Sequence, residues 1–259
     1  MPIPLHWHTE PFLLLSLLFL GWGYGVCTWP LRGVLAPGVA FDGLRALAYY
    51  GGLIGAYFTV ASPLDQIGED FLFSVHMVQH MLIIYIFPPL FIFGVPPWGW
   101  ELLFRNRALC SLARFLTHPV VAGGSFTLTY SLWHFPALYE AALQNKLIHI
   151  FEHFTMFATA LLMWWLIVAP SKIIPPLSFP LRMLFVFVLM VGQFPVFGVL
   201  TFSSEVLYAT YEYAPRLFEL TPLQDQILGG VVMKLFNMVA SLIIFGISFS
   251  AWYKTSEGA

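Results

Sequence analysis

Two pairs of histidines have the spacing to do chemistry together. His76 and His80 are four residues apart, and so are His149 and His153. Four residues is about one helical turn, so each pair would stack on one face of a helix. Such a pair can chelate one metal ion, and two facing pairs can share or bridge metals. Imidazole is a neutral ligand, which avoids part of the cost of burying charge. Met156 lies three residues after His153 and extends its stripe, while Met77 and Met81 flank the other pair. Thioether together with imidazole favours a soft ion such as Cu(I) over hard ions. Taken singly, each methionine reads as an ordinary packing residue of an apolar helix.

The elements that must position these residues follow from composition. Of 259 residues, 59% are hydrophobic and 9% charged, with a mean hydropathy of +0.80. A soluble domain carries about 25% charged residues, so the bilayer must be the solvent here. The expected fold is an all-α, polytopic bundle of about seven transmembrane helices, forming a single transmembrane domain over residues 1–259. The spans are expected near 12–29, 43–61, 71–94, 119–136, 147–169, 181–202 and 225–252, each bounded by Pro, Gly or charge. The fourth is the weakest, because Gly123, Gly124 and several hydroxyl residues dilute it. No Lys or Arg precedes the first apolar run, which argues for a retained helix over a cleaved signal peptide. No basic run suggests nucleic-acid binding.

Lys and Arg set the orientation. One side of these spans collects Arg32, Arg45, Arg105, Arg107, Arg114, Lys172, Arg182 and Lys254, and the other only Lys146 and Arg216. The N-terminus is therefore expected outside and the C-terminus in the cytoplasm. Acidic residues favour the outer side, which would concentrate cations there. Cys27 and Cys110 map to the cytoplasmic side, where no structural disulfide is expected.

This topology layers the histidines. His76, His80, His134, His149 and His153 all fall in the outer half of the membrane, on three helices, and His6 and His8 precede the first span. A single intramembrane histidine is often a hydrogen-bonding helix contact. Five at one depth, in two pairs, are better explained by a metal or cofactor site. Asp65, Gln79, Glu152, Asp225 and Met233 gather near the same plane and, with Met77, are candidates to support the ligands from behind. Asp225 could equally be a helix N-cap. Gly229 and Gly230 would let a neighbouring helix approach closely.

The run Phe-Ser-Val-His-Met-Val-Gln-His-Met-Leu at 73–82 resembles the signature of the CtaG family of cytochrome c oxidase assembly factors, the polytopic bacterial kind. Ser-Pro-Leu-Asp at 62–65, Trp133-His134-x-Pro136 with Tyr139, His149-x-x-Glu152-His153 and Asp225-Gln226-x-x-Gly229-Gly230-x-x-Met233 fit the same pattern. Lys234 departs from it, standing where an apolar aromatic is expected. The resemblance implies a non-enzymatic metallochaperone in the bacterial inner membrane, a multi-pass protein. It would help to mature the copper centre of the oxidase's catalytic subunit. In that reading His76 and His80 are copper ligands, and His149, His153, His134 and Met156 are ligands or transfer-site residues. An extracytoplasmic copper donor, membrane lipid and a homo-oligomer complete the expected partners.

Two other classes remain open on the residues alone. His149-Ile-Phe-Glu152-His153 formally matches the H-x-x-E-H pattern of a zinc hydrolase, with Glu152 as general base. A haem-bearing cytochrome would need two imidazoles on facing helices, which the histidines allow. A metal transporter is disfavoured, because Lys234 is the only Asp, Glu, Lys or Arg deep in an expected span.

Overall fold

The computed structural model describes Trp7 and residues 11–257, and no strand occurs among them. His6, His8 and Glu10 lie outside the described residues. In chain order the helices are α1 (Pro11–Thr28), the single turn α2 (Arg32–Leu35), α3 (Gly43–Ala61), α4 (Pro63–Asp70), α5 (Phe73–Met81), α6 (Phe87–Gly94), α7 (Pro97–Leu103), α8 (Arg107–Leu116), α9 (Pro119–Trp133), α10 (Pro136–Gln144), α11 (Lys146–Val168), α12 (Phe179–Gly192), α13 (Phe194–Phe202), α14 (Ala209–Tyr213) and α15 (Pro222–Glu257). Proline opens many of them, where its missing N–H is no loss and its fixed φ suits a helix. Asp42 caps α3, Ser62 caps α4 and Asn145 caps α11, each side chain accepting from backbone N–H groups of the first turn.

Five helices are long and apolar enough to cross a membrane: α1, the composite Phe73–Gly94, α11, the composite Phe179–Phe202, and α15. Two of the seven expected spans fall short of that measure. α3 matches its expected range but carries several Gly and Tyr residues, and α9 is only 15 residues long. The expected fourth span ends early because Pro136 keeps Phe135 out of the helical region, at ψ 128°. His134 is left as the C-terminal cap of α9.

The composite Phe73–Gly94 is the most buried of the five. A π-helical turn, Leu82–Ile86, joins α5 to α6 just ahead of Pro88 and Pro89. Pro88 cannot donate to the carbonyl four residues earlier, that of Ile84. The indole Nε1 of Trp164 donates to that oxygen instead, at 2.8 Å. A neighbouring helix thus satisfies the group that proline freed, as an apolar surrounding demands.

Both expected close approaches at the α15 glycines are present, each to a different helix. A Cβ on Gly229 would collide with the Phe73 ring, and one on Gly230 would sit 2.5 Å from Thr201 Oγ1. α1 joins the bundle mainly through its far end, where Tyr24 stacks on Tyr49 at 4.0 Å and donates to Gly94 O.

Charge separates along the bundle. At one end Arg45 donates to Phe93 O, and Arg182 to Leu177 O. At the other end Glu69 meets His149, Glu140 holds Thr210, and Asp225 caps α5. Between them, the Lys234 ammonium rests on the Phe197 ring, 4.6 Å from its centroid. Cys27 and Cys110 are both free.

Candidate metal centre

All five expected histidines converge at the acidic end, where α5 and α11 begin and α9 stops. His76 and His80 have ring centroids 4.4 Å apart, and His149 and His153 4.2 Å. The pairs meet face to face: His76 lies 5.4 Å from His149, and His80 lies 5.2 Å from His153. His134 approaches His80 at 5.8 Å from the end of α9. Helical spacing made the pairs, and the bundle that sets α5 opposite α11 made them one cluster.

Hydrogen bonds behind the rings decide which nitrogen faces inward. His134 Nδ1 lies 2.6 Å from Tyr130 O, a carbonyl that can only accept, so Nδ1 carries the proton. His149 Nδ1 meets the Glu69 carboxylate at 2.7 Å, which fixes the same tautomer. His76 Nδ1 contacts the hydroxyls of Tyr139 at 3.0 Å and Tyr211 at 3.1 Å, which are themselves 3.0 Å apart. Tyr211 donates its proton to Gly68 O, so only Tyr139 and His76 can supply protons to that triangle. An unprotonated Nδ1 would face the Tyr211 lone pairs with no hydrogen between them. The network therefore calls for a proton on Nδ1 of His76. In the neutral form of all three residues Nε2 is left with a lone pair.

Those lone pairs have no partner among the described residues. The Nε2 atoms of His76, His80, His134, His149 and His153 are all buried without a hydrogen bond, as is Nδ1 of His80. Both carboxylate oxygens of Glu152 are in the same condition. Glu152 is fully buried, and His80 Nε2 stands 3.7 Å from its Oε1, too long for a hydrogen bond. A buried carboxylate without hydrogen bonds is costly unless a cation offsets it. One atom each from His76, His149, Glu152 and His153 lie within 4.8 Å of one another, a three-imidazole, one-carboxylate donor set. Imidazole donors suit copper, zinc, iron or nickel.

The remaining expected residues take different places. Gln79 donates to Asp65 Oδ1 at 2.9 Å and to Thr59 O at 2.7 Å, tying α5 to α4 and to the end of α3. Asp225 holds no histidine. It accepts from Phe73 N, Ser74 N and Ser74 Oγ, capping α5 from α15. Met77 packs against Gly229 at the α5–α15 crossing, and Met233 is buried in the same core. Met156 is buried one turn beyond Glu152 on α11.

Sequence reasoning missed Glu69, Tyr211 and the carbonyl of Tyr130. Glu69 had only its acidity to mark it, since nothing in the spacing links position 69 to 149. His149 and His153, with Asp65, Glu69 and Lys146, also line a cavity of about 750 Å³ beside the cluster. Phe12, Leu13 and Ser16 of α1 form its other wall.

The family of cytochrome c oxidase caa3 assembly factors, Caa3_CtaG, matches residues 22–255, which hold the whole cluster. This chain belongs to that family. The expected resemblance is thereby established over nearly the whole length. None of the curated proteins or solved structures compared with the chain matches it.

Proposed function

We propose that this assembly factor holds copper, as Cu(I), in the histidine cluster and delivers it to the catalytic subunit of cytochrome c oxidase. The observation that carries this reading is the set of five buried Nε2 atoms that have no hydrogen-bond partner among the described residues, four of them on side chains gathered about the Glu152 carboxylate. Neutral imidazoles with inward lone pairs are ready-made ligands, and the groups behind His76, His134 and His149 hold their rings in place. Glu152 supplies negative charge toward the cation, and Met156, buried on the same helix, is proposed as a thioether ligand at the cluster's edge.

In this reading seven helices cross the inner membrane, α3 and α9 included, with the N-terminus outside. The positive-inside distribution supports that orientation, and the acidic end then faces the extracytoplasmic side. The cavity beside His149 and His153 is where an extracytoplasmic donor would hand copper over. Cargo copper exchanges through it, and the chain needs no catalytic step of its own.

The test is copper content. Protein purified with Cu(I) under anaerobic conditions is expected to retain copper, and the His76→Ala/His80→Ala double variant to lose most of it while still folded by circular dichroism. Unchanged copper in the folded double variant would refute the reading. A zinc hydrolase is favoured only by the H-x-x-E-H spacing. It would show as retained zinc with a hydrolytic activity lost in Glu152→Gln.

A further inference from the structure

The donor set of His76, His149, Glu152 and His153 does not use up the cluster. His80 keeps both ring nitrogens buried without a partner, and His134 keeps Nε2. Glu152 has a second oxygen in the same condition. These three side chains are nearly or wholly inaccessible, His80 and Glu152 at 0% and His134 at 6% exposure. A single ion within the first set leaves these donors unsatisfied in an apolar surrounding.

We propose a second metal position between His80 and His134, with the Glu152 carboxylate bridging the two ions. This rests on the copper reading above and extends it from one ion to two.

The ring spacing admits a shared ion once the side chains turn their donors toward it. With metal–nitrogen bonds of about 2.0–2.1 Å, two imidazoles on one tetrahedral or trigonal ion have ring centroids roughly 5–5.5 Å apart, and about 6.4 Å when the ligands stand opposite one another. The His80 and His134 rings are 5.8 Å apart, within that range. Glu152 Oε1 lies 3.7 Å from His80 Nε2, so one ion between them needs only a small adjustment of either side chain. A bridging carboxylate holds two cations about 3.5–4 Å apart.

The backbone supports the same division. His134 comes from α9, where Pro136 ends the helix, and its Nδ1 is committed to Tyr130 O. Its Nε2 is thus presented from a different helix than the four donors of the first set. Two Cu(I) ions against one carboxylate leave a net charge of +1, less than two ions held by imidazoles alone. A cargo site with two positions would also let a chain release one ion while the other keeps Glu152 compensated.

The experiment is metal counting on the intact chain in detergent, joined to X-ray absorption at the copper edge. Wild type is expected to carry two copper ions per chain, with a copper–copper scattering path below about 4 Å. His134→Ala is expected to halve the copper content and abolish that path while the first position stays filled. Glu152→Gln is expected to remove the path as well. One copper per chain in wild type would overturn the second position and leave the copper reading standing. Two coppers without a copper–copper path would also overturn it, because the second ion would then lie elsewhere. No copper at all would overturn both. These wild-type outcomes decide the matter even if a variant fails to fold.

Discussion

The Asp225 carboxylate, on α15, accepts the backbone N–H of Phe73 at 2.7 Å and so caps a helix other than its own. It also takes the Ser74 hydroxyl at 2.5 Å. An N-terminus buried in the bundle needs such a partner, because its first N–H groups have none within the helix. His76 lies one turn further along. The cap therefore sets where the first ligand pair begins. Asp225→Ala is expected to destabilise the protein by about 1–3 kcal/mol, since buried donors are left unsatisfied. Ser74→Ala should cost less, removing one donor and leaving the backbone contacts. Thermal unfolding in detergent measures both, and equal losses would contradict this division of roles.

Glu69 holds His149 in the tautomer that presents Nε2. Partners of this kind are worth roughly 10–100-fold in metal affinity. Glu69→Ala is expected to weaken Cu(I) binding by that factor, with Glu69→Gln falling between it and wild type because an amide oxygen can still accept. Competition against a Cu(I) chelator reads the difference. Wild-type affinity in Glu69→Ala would show that His149 does not depend on this contact.

Trp164 answers for Pro88. Trp164→Phe keeps most of the packing and removes the donor to Ile84 O, which lies inside the bundle. The expected loss is about 1–3 kcal/mol. If Trp164→Phe unfolds at the wild-type temperature, the carbonyl has found another donor.

Asp65 lies on α4, outside the spanning segments, and gives the protein a pH dependence. Burial, with Glu69 adding to it, raises its carboxyl from 3.8 to about 7, against the opposing pull of His149, Gln79 and Lys146. The folded chain thus keeps a proton that the unfolded chain releases above about pH 4. Stability from this group is greatest at the acid end and is lost as pH rises through the folded value near 7. Asp65→Asn is expected to flatten that slope in metal-free protein. Parallel melting curves for wild type and Asp65→Asn from pH 4 to 8 would contradict it.

Much of the architecture was legible in the chain, because membrane helices announce themselves by length and hydropathy. Five expected spans, 12–29, 43–61, 71–94, 147–169 and 181–202, lie within about two residues of structural helices or composites, since charge, Pro and Gly bound them. The break at Gly192–Phe194 inside Phe179–Phe202 was not foreseen, although Pro195 stands beside it. α9 proved shorter than expected for a similar reason, at Pro136.

The sequence alone determined the candidate ligands, because an i,i+4 spacing fixes which histidines share a face whatever the helix packs against. It also determined the two glycines of close approach. Only the tertiary structure decided that the two pairs face one another with His134 above them. Only it turned Asp225 from a histidine partner into the cap of α5, and brought Glu69 to His149. Those outcomes depend on how helices distant in the chain are rotated and set in depth. Local periodicity does not encode either quantity; the packing of Gly229 on Phe73 and of the neighbouring helices does.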